Sequence, residues 1–461
     1  MTSEPTSCPK RSRALAIVAA VALCVPIATY DAKATDTEAP PEPDLMTVQE
    51  REAIDLSNYV VTDPNASYFD VAERQSYLQS TTDPILTAEV EKLSIGISCR
   101  QVMNLPVLAG RMKLPAFYEL PDQWRQAAEP FFQFEDAVSH LAASYVATSD
   151  PYYADCLGDL LRKWGDEGAF LGLSQTPDPP QAWFAAESSL FAAGLAYSIV
   201  RPFIAETRPD DAGRIESWLQ KASWTHISHE DHDKDSCCNN HFYRRALHAT
   251  VIGIVSNDDK LFQYGISAVM SALNELNPDG GFPREVSRGT LAVHYQNYAM
   301  LYLVMIMQLA SRQGYDLFDF VVDDNRIETA AAFAINAIEN PQDFEIAADT
   351  EQELRFIQDD QYFTWMEIYL SHHGSDRIEN FISTRRPIFN RSAGGFISLY
   401  FYEPTEEKLM PFVEYVGGQY VTRLRKCSQH PVWYDDRDVA WRAECERHMR
   451  DISAGAEPVE Q

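Results

Sequence analysis

Apolar residues recur along most of this chain at spacings of three and four, the period of a helix with one buried face. Phe134, Val138, Leu141 and Tyr145 make one such stripe; Tyr153, Leu157, Leu160 and Trp164 make the next. Between them stands "TSDP", where Ser149 and Asp150 are suited to cap the adjoining helix ends. Further helices are expected over 185–200, 242–255, 261–276, 291–312, 327–338 and 363–372, separated by the breakers "RPF", "SNDD", "NPDGG" and "ENPQD". Strand-like alternation is scarce, apart from "GGFISLYF" at 394–401. Many antiparallel helices on short connections fit an all-α bundle, solenoid or (α/α) toroid, and no fixed-length repeat favours the solenoid. Trp164, Trp183 and Trp365 fall at helical spacings and read as core, while the acidic run 343–360 reads as a solvated face.

The two ends of the chain change the picture. Lys10, Arg11 and Arg13 precede a short apolar run, and "AKA" ends at Ala34, so 1–34 reads as a signal peptide. The run is too short to span a bilayer, no other continuous apolar stretch matches it, and no membrane span is expected. A lipid anchor at Cys24 is disfavoured by the large Leu23 before it. The expected location is periplasmic or secreted. Residues 35–60 open on the polar, proline-rich "TDTEAPPEPD" and are expected to be disordered. One large domain over 61–402 and a C-terminal extension over 403–461 complete the division.

Sixty-eight acidic residues against 38 Lys and Arg give a formal net charge of −30. That excludes nucleic acid as a natural partner, since phosphate binding needs a basic surface. Of eight cysteines, Cys8 and Cys24 leave with the signal, and six remain in an oxidising compartment. Spacing alone does not set their connectivity. The working assignment is Cys99–Cys156, Cys237–Cys238 and Cys427–Cys445, with free thiols or separate bridges at 237 and 238 as rivals. No Cys-x-x-Cys pair supports zinc, so neither metal nor cofactor is expected.

Two segments gather chemically active residues. In "KDSCCNNHFYRRALHATVIGIV" (234–255), Asn240 and His241 stand at a helix start, where free N–H groups and the helix dipole favour an anion. In "PREVSRGTLAVHYQNY" (283–298), Arg288 and Tyr295 are seven apart, close to two helical turns. Asn, His, Arg and Tyr together suit elimination across a uronic acid. Amide and imidazole can neutralise the carboxylate and the enolate-like charge that develops on it. Arginine adds fixed charge and can lower a tyrosine's pKa, which a base working near neutrality requires. Taken singly, each of these residues reads more simply as a helix cap, a buried histidine, a surface cation or a core aromatic.

The two segments in this order resemble the alginate lyases of polysaccharide lyase family 5, which carry an Asn-Asn-His-x-Tyr motif and then an Arg-Gly segment leading into a Tyr-His-Asn-Tyr-Ala-like motif. The similarity runs from about Cys99 to Phe401. It implies an incomplete (α/α) toroid of antiparallel helix pairs with a deep cleft, and metal-independent β-elimination on polymannuronate; a monomer is expected. By the same resemblance Asn240 and His241 would neutralise the carboxylate, Arg288 would help activate Tyr295, and Tyr295 would be base and acid together. Arg244, Arg284, Lys113, Tyr243 and Tyr298 would bind substrate, and a Cys237–Cys238 cystine would precede the Asn-His pair. There are departures. Arg244 replaces a tryptophan, Phe117 a lysine and Gln296 a histidine, positions expected to bear on substrate contact. A lyase for another polyuronate such as a glucuronan, or a catalytically silent polysaccharide binder, are the alternatives. A glycosidase would need two carboxylates flanking the bond, with Glu285 and Asp279 as the only candidates. Lys234, Arg244, Arg245, Arg284 and Arg288 are expected to concentrate cations at the site despite the net charge.

Overall fold

A computed structural model describes residues 45–172, 181–228, 237–342, 344, 350–404, 410–416 and 419–425. Helices dominate. The first eight are α1 (Val48–Glu52), α2 (Val71–Ser80), α3 (Pro84–Ile95), α4 (Cys99–Val102), α5 (Pro121–Thr148), α6 (Pro151–Asp166), α7 (Gln181–Thr207) and α8 (Pro209–Ile227). The rest are α9 (Asn240–Val255), α10 (Asp259–Glu275), α11 (Pro283–Val286), α12 (Ala292–Arg312), α13 (Ile327–Glu339), α14 (Thr364–Leu370), α15 (Asp376–Ser383) and α16 (Ile397–Phe401).

The packing is that of an (α/α) toroid. Sequential helices pair as α5 with α6, α7 with α8 and α9 with α10, while α5, α7, α9 and α12 also pack side by side as an inner row. Inner and outer members differ as their positions require. α7 is buried nearly all round, whereas α6 buries one stripe that includes Leu157, Leu160 and Trp164. Small residues let the inner row close up: a Cβ at Gly194 of α7 would lie 2.7 Å from Val251 of α9. α7 is the one described helix apolar and long enough to cross a membrane, and most of it is buried in this core. Asp150 caps α6 by accepting from the Tyr152 amide at 2.9 Å, and Ser149 ends α5 in the left-handed region. Trp164, Trp183 and Trp365 are all core.

Several expectations need correction. "RPF" does not break a helix: α7 runs through Pro202 to Thr207, and the chain turns instead at Arg208, ahead of a proline in the first turn of α8. Periodicity also misses α8, although Ile215, Trp218, Leu219 and Ala222 are buried along it. "GGFISLYF" is a turn with both glycines at positive φ and then α16. Its apolar residues are buried on all sides, so alternation carries no information there. The described strands, Met410–Val416 and Gln419–Arg425, form an antiparallel hairpin in the C-terminal extension.

The N-terminal tail is folded from Leu45 onward rather than disordered to residue 60. α1 opens with a capping box between Thr47 and Glu50, and Arg51 is buried with its guanidinium 4.1 Å from the Phe242 ring centroid. Farther on, the Val60 and Val61 amides donate to Tyr315 Oη and Asp259 Oδ1. The proline-rich composition ends near residue 44, and the chain from there on has specific partners. The acidic run is likewise no uniform solvated face. Gln352 and Phe356 are buried, and the Gln352 side chain accepts from the Val293 amide and donates to the Gly289 carbonyl. Cys99 is bonded to Cys156, fastening α4 to α6, and Cys237 to Cys238. Cys427, Cys445 and Lys234 lie outside the described residues.

Candidate active site

The start of α9 is set by Asn239, whose side-chain oxygen accepts from the amides of His241 and Phe242. The Cys237–Cys238 pair enters this cap with Cys238 at φ 65°, and the Tyr243 hydroxyl donates to the Cys238 carbonyl. Asn240 is thereby presented to Glu285 of α11. Its amide N–H donates to one carboxylate oxygen at 2.5 Å and its side-chain Nδ2 to the other at 2.8 Å. Glu285 is fully buried, and its second oxygen also lies 3.8 Å from Arg288 Nε. One carboxylate therefore joins the two active segments of the sequence.

From Arg288 the site continues to α12. The guanidinium carbon sits 4.9 Å from the Tyr295 ring centroid, and the Tyr295 hydroxyl shares a short hydrogen bond with the exposed Tyr118 hydroxyl. Tyr118 stands on the segment leading into α5, held edge-on by Phe117, which in turn meets Trp124 edge-on. Behind Tyr295, His294 is enclosed by Tyr298, Phe356 and Tyr362, and burial lowers its pKa to about 4, keeping it neutral. Among the described residues no group of three or more His, Cys, Asp or Glu side chains has the placement to hold a metal ion.

Electrostatics oppose one expectation. Arginine is expected to tune Tyr295 downward, yet the tyrosine's pKa is raised. Burial is the largest cause, followed by the bond to Tyr118; Arg288 acts in the lowering direction but does not win. Glu285 is raised to about 6, because burial outweighs the donations from Asn240 and the nearby arginine charges.

Of the residues assigned to substrate binding, three face inward. Arg284 is committed to Glu275, donating from Nε at 2.8 Å and from Nη2 at 2.6 Å, and its Nη2 also donates to the Met46 carbonyl. Tyr243 is buried against the cystine. Arg244 is buried between Glu187 and His241. Lys113 is exposed and Tyr298 half-buried, so both remain accessible. The expected concentration of cations is also corrected: Arg245 is buried, and of the described four only Arg288 reaches solvent without a bidentate carboxylate partner. Gln296 braces a turn, accepting from the Phe282 amide and donating to the Gly280 carbonyl. The hydrolase pair is not assembled either, since Glu285 is buried under Asn240 and Asp279 accepts from the Gly281 amide within its own turn. Sequence reasoning misses Glu285 as a link, Tyr118 and Asn239. Glu285 has a legible signal in its position three residues before Arg288.

Asn240, Glu285, Arg288 and Tyr295 bring amide, carboxylate, guanidinium and phenol groups together on an (α/α) toroid, and the class this fold and family define is that of the polysaccharide lyases. The family profile for alginate lyase matches residues 56–344, more than half of the chain, and the chain belongs to that family. It is 26% identical to an alginate lyase of Azotobacter vinelandii over 63% of this chain and 77% of that protein. It is 31% identical to a polysaccharide lyase of Stenotrophomonas maltophilia over 43% of this chain and 59% of that protein. The solved structure of alginate lyase A1-III from Sphingomonas species A1 superposes with a TM-score of 0.69 at 32% identity, covering 76% of this chain and all of that one. A histidine-to-alanine variant of the same enzyme has been solved with a tetrasaccharide bound.

Proposed function

We propose that this protein is exported to the periplasm or beyond, and that it cleaves mannuronate-rich alginate there, as a monomer, by metal-independent β-elimination. The observation that carries the reading is the Glu285 link, which ties the Asn240 amide to Arg288 and, through Arg288, to the Tyr295 ring. A substrate carboxylate held by Asn240 and His241 has donors where charge develops as C5 loses its proton. Tyr295 takes that proton. The C5–H electron pair forms the C4=C5 double bond, the C4–O4 bond breaks, and the phenol returns a proton to the departing O4. Burial and Tyr118 favour the neutral phenol, so the base half of the cycle depends on Arg288, whose charge favours the phenolate. The raised pKa suits the acid half.

The test is ultraviolet absorbance during incubation of the signal-less protein with polymannuronate, polyguluronate and a glucuronan, each beside Tyr295→Phe. Absorbance rising on polymannuronate and lost in the variant is expected. A rise on the glucuronan alone would replace the substrate assignment, and flat traces with retained binding would replace catalysis with binding.

A further inference from the structure

The face of α9 that carries His241 also carries Arg244, one turn later, and the opposing face of α7 carries Phe184 and Glu187 at the same spacing. The four side chains form one unit, with Glu187 and Arg244 buried and Phe184 and His241 half-buried. The His241 ring stacks on Phe184 at 4.5 Å and 21°, and the Arg244 guanidinium carbon lies 4.3 Å from the centroid of the same ring. Arg244 Nη2 is 2.9 Å from His241 Nδ1, and Arg244 Nε is 3.3 Å from Glu187 Oε2. Glu187 is wholly buried.

We infer that Arg244, anchored by Glu187, is a positioning residue that holds His241 as the neutral tautomer protonated at Nε2. Guanidinium has donors only. A ring nitrogen bonded to it must therefore be the unprotonated one, which puts the ring proton on the far nitrogen. In that state His241 presents a single N–H donor away from Arg244, as hydrogen bonding to a substrate carboxylate requires. Stacking on Phe184 fixes the plane of the ring, and the bond from Arg244 selects which nitrogen faces inward. A buried ion pair is weak support for stability, because desolvating both charges offsets most of their attraction. Its use here is orientation: the Glu187 charge, 3.3 Å from Arg244 Nε, holds the guanidinium in place, and the guanidinium bonds the imidazole. The inference deepens the lyase reading and rests on it for the role of His241.

The double variant Arg244→Met/Glu187→Gln removes the donor without leaving a charge buried alone, and circular dichroism with thermal melting checks that it folds. Histidine ring 15N resonances of the intact protein, with His241 assigned through His241→Gln, are read without substrate. The wild type is expected to show an unprotonated Nδ1 and a protonated Nε2, and the double variant to shift toward a mixture of tautomers. With polymannuronate, the variant should lose about 10–100-fold in kcat, by analogy with loss of the partners that orient metal-bound histidines, with KM changing much less. Single Arg244→Lys keeps a charge for Glu187 but not the fork, and should fall between the two. A protonated Nδ1 in the wild type, or a folded double variant with unchanged resonances and unchanged kcat, would overturn the inference. If no polyuronate is cut by the wild type, the lyase reading fails while the resonances still decide the tautomer.

Discussion

Replacing Glu285 by Gln separates the wiring of the site from the stability of the fold. Two opposing terms decide the stability. In the wild type the carboxyl has a pKa of about 6 against an ordinary 4.5, a penalty of about 2 kcal/mol on the ionised form at pH 7. Glutamine removes that penalty. It also replaces one acceptor oxygen by an NH2 facing an Asn240 donor, and a donor left unsatisfied in the core costs about 1–3 kcal/mol. The terms are similar in size and opposite in sign, so the variant should melt within a few degrees of the wild type. Activity has no such compensation. Asn240 loses one of its two anchors and Arg288 loses its counter-charge, and a fall in kcat/KM of about 10–100-fold corresponds to about 1.4–2.7 kcal/mol of transition-state stabilisation.

The pH dependence sharpens the same case. Because the folded pKa of Glu285 is raised, its protonation stabilises the fold. That contribution is complete below about 4.5 and is lost as pH rises through about 6. Function runs the other way, since the protonated acid has one oxygen fewer to accept Asn240 and no charge for Arg288. Wild-type kcat/KM should therefore drop on the acid side near pH 6 while this group makes the protein no less stable there, and Glu285→Gln should lack that limb. The assay is initial-rate ultraviolet absorbance over pH 4.5–8 beside melting curves of both proteins, pH values chosen to bracket the titration. An active variant that keeps the acid limb, or one whose activity falls only because it unfolds, would refute the reasoning.

Arg284→Ala should destabilise by about 2–3 kcal/mol, less than a fully buried pair because Arg284 is partly exposed, and should free the arm around Met46 for limited proteolysis. Reducing Cys99–Cys156, which closes a 57-residue separation, should lower stability by up to about 4 kcal/mol on the chain-entropy scale, measured by denaturant titration of a Cys99→Ser/Cys156→Ser variant. Tyr118→Phe removes a bond that raises the Tyr295 pKa, so the limb on which activity rises as the phenolate forms should move to lower pH; an unmoved limb would dismiss the contact. A net charge of −30 repels a polyanionic substrate, and screening over about 8 Å at physiological ionic strength should raise kcat/KM as salt is added from a low level, where a steady decline would contradict it.

The inner row of helices is legible in the sequence because each helix repeats its apolar residues over several turns, and the candidate site stands out because two motifs rich in Asn, His, Arg and Tyr lie about fifty residues apart. Which way a polar side chain faces is not legible. Arg244, Arg284 and Arg288 are all arginines close to one motif or the other, and by composition all three are candidate substrate ligands. Burial and partner choice separate them: Glu275 takes Arg284, Glu187 takes Arg244, and Arg288 is left with a shared carboxylate and a tyrosine ring. Both Glu275 and Glu187 lie on helices whose hydrophobic pattern says nothing about a lone buried acid. The same blindness applies to Tyr295. Spacing puts Arg288 near Tyr295 and predicts a lowered pKa, but desolvation comes from every neighbour at once, and here it outweighs the one favourable charge. The net charge misleads for a related reason: it counts cations without saying which are already neutralised by the fold. On the proposed lyase reading, substrate capture rests on short-range donors such as His241 and Arg288, because Arg244, Arg245 and Arg284 are already taken up by the fold.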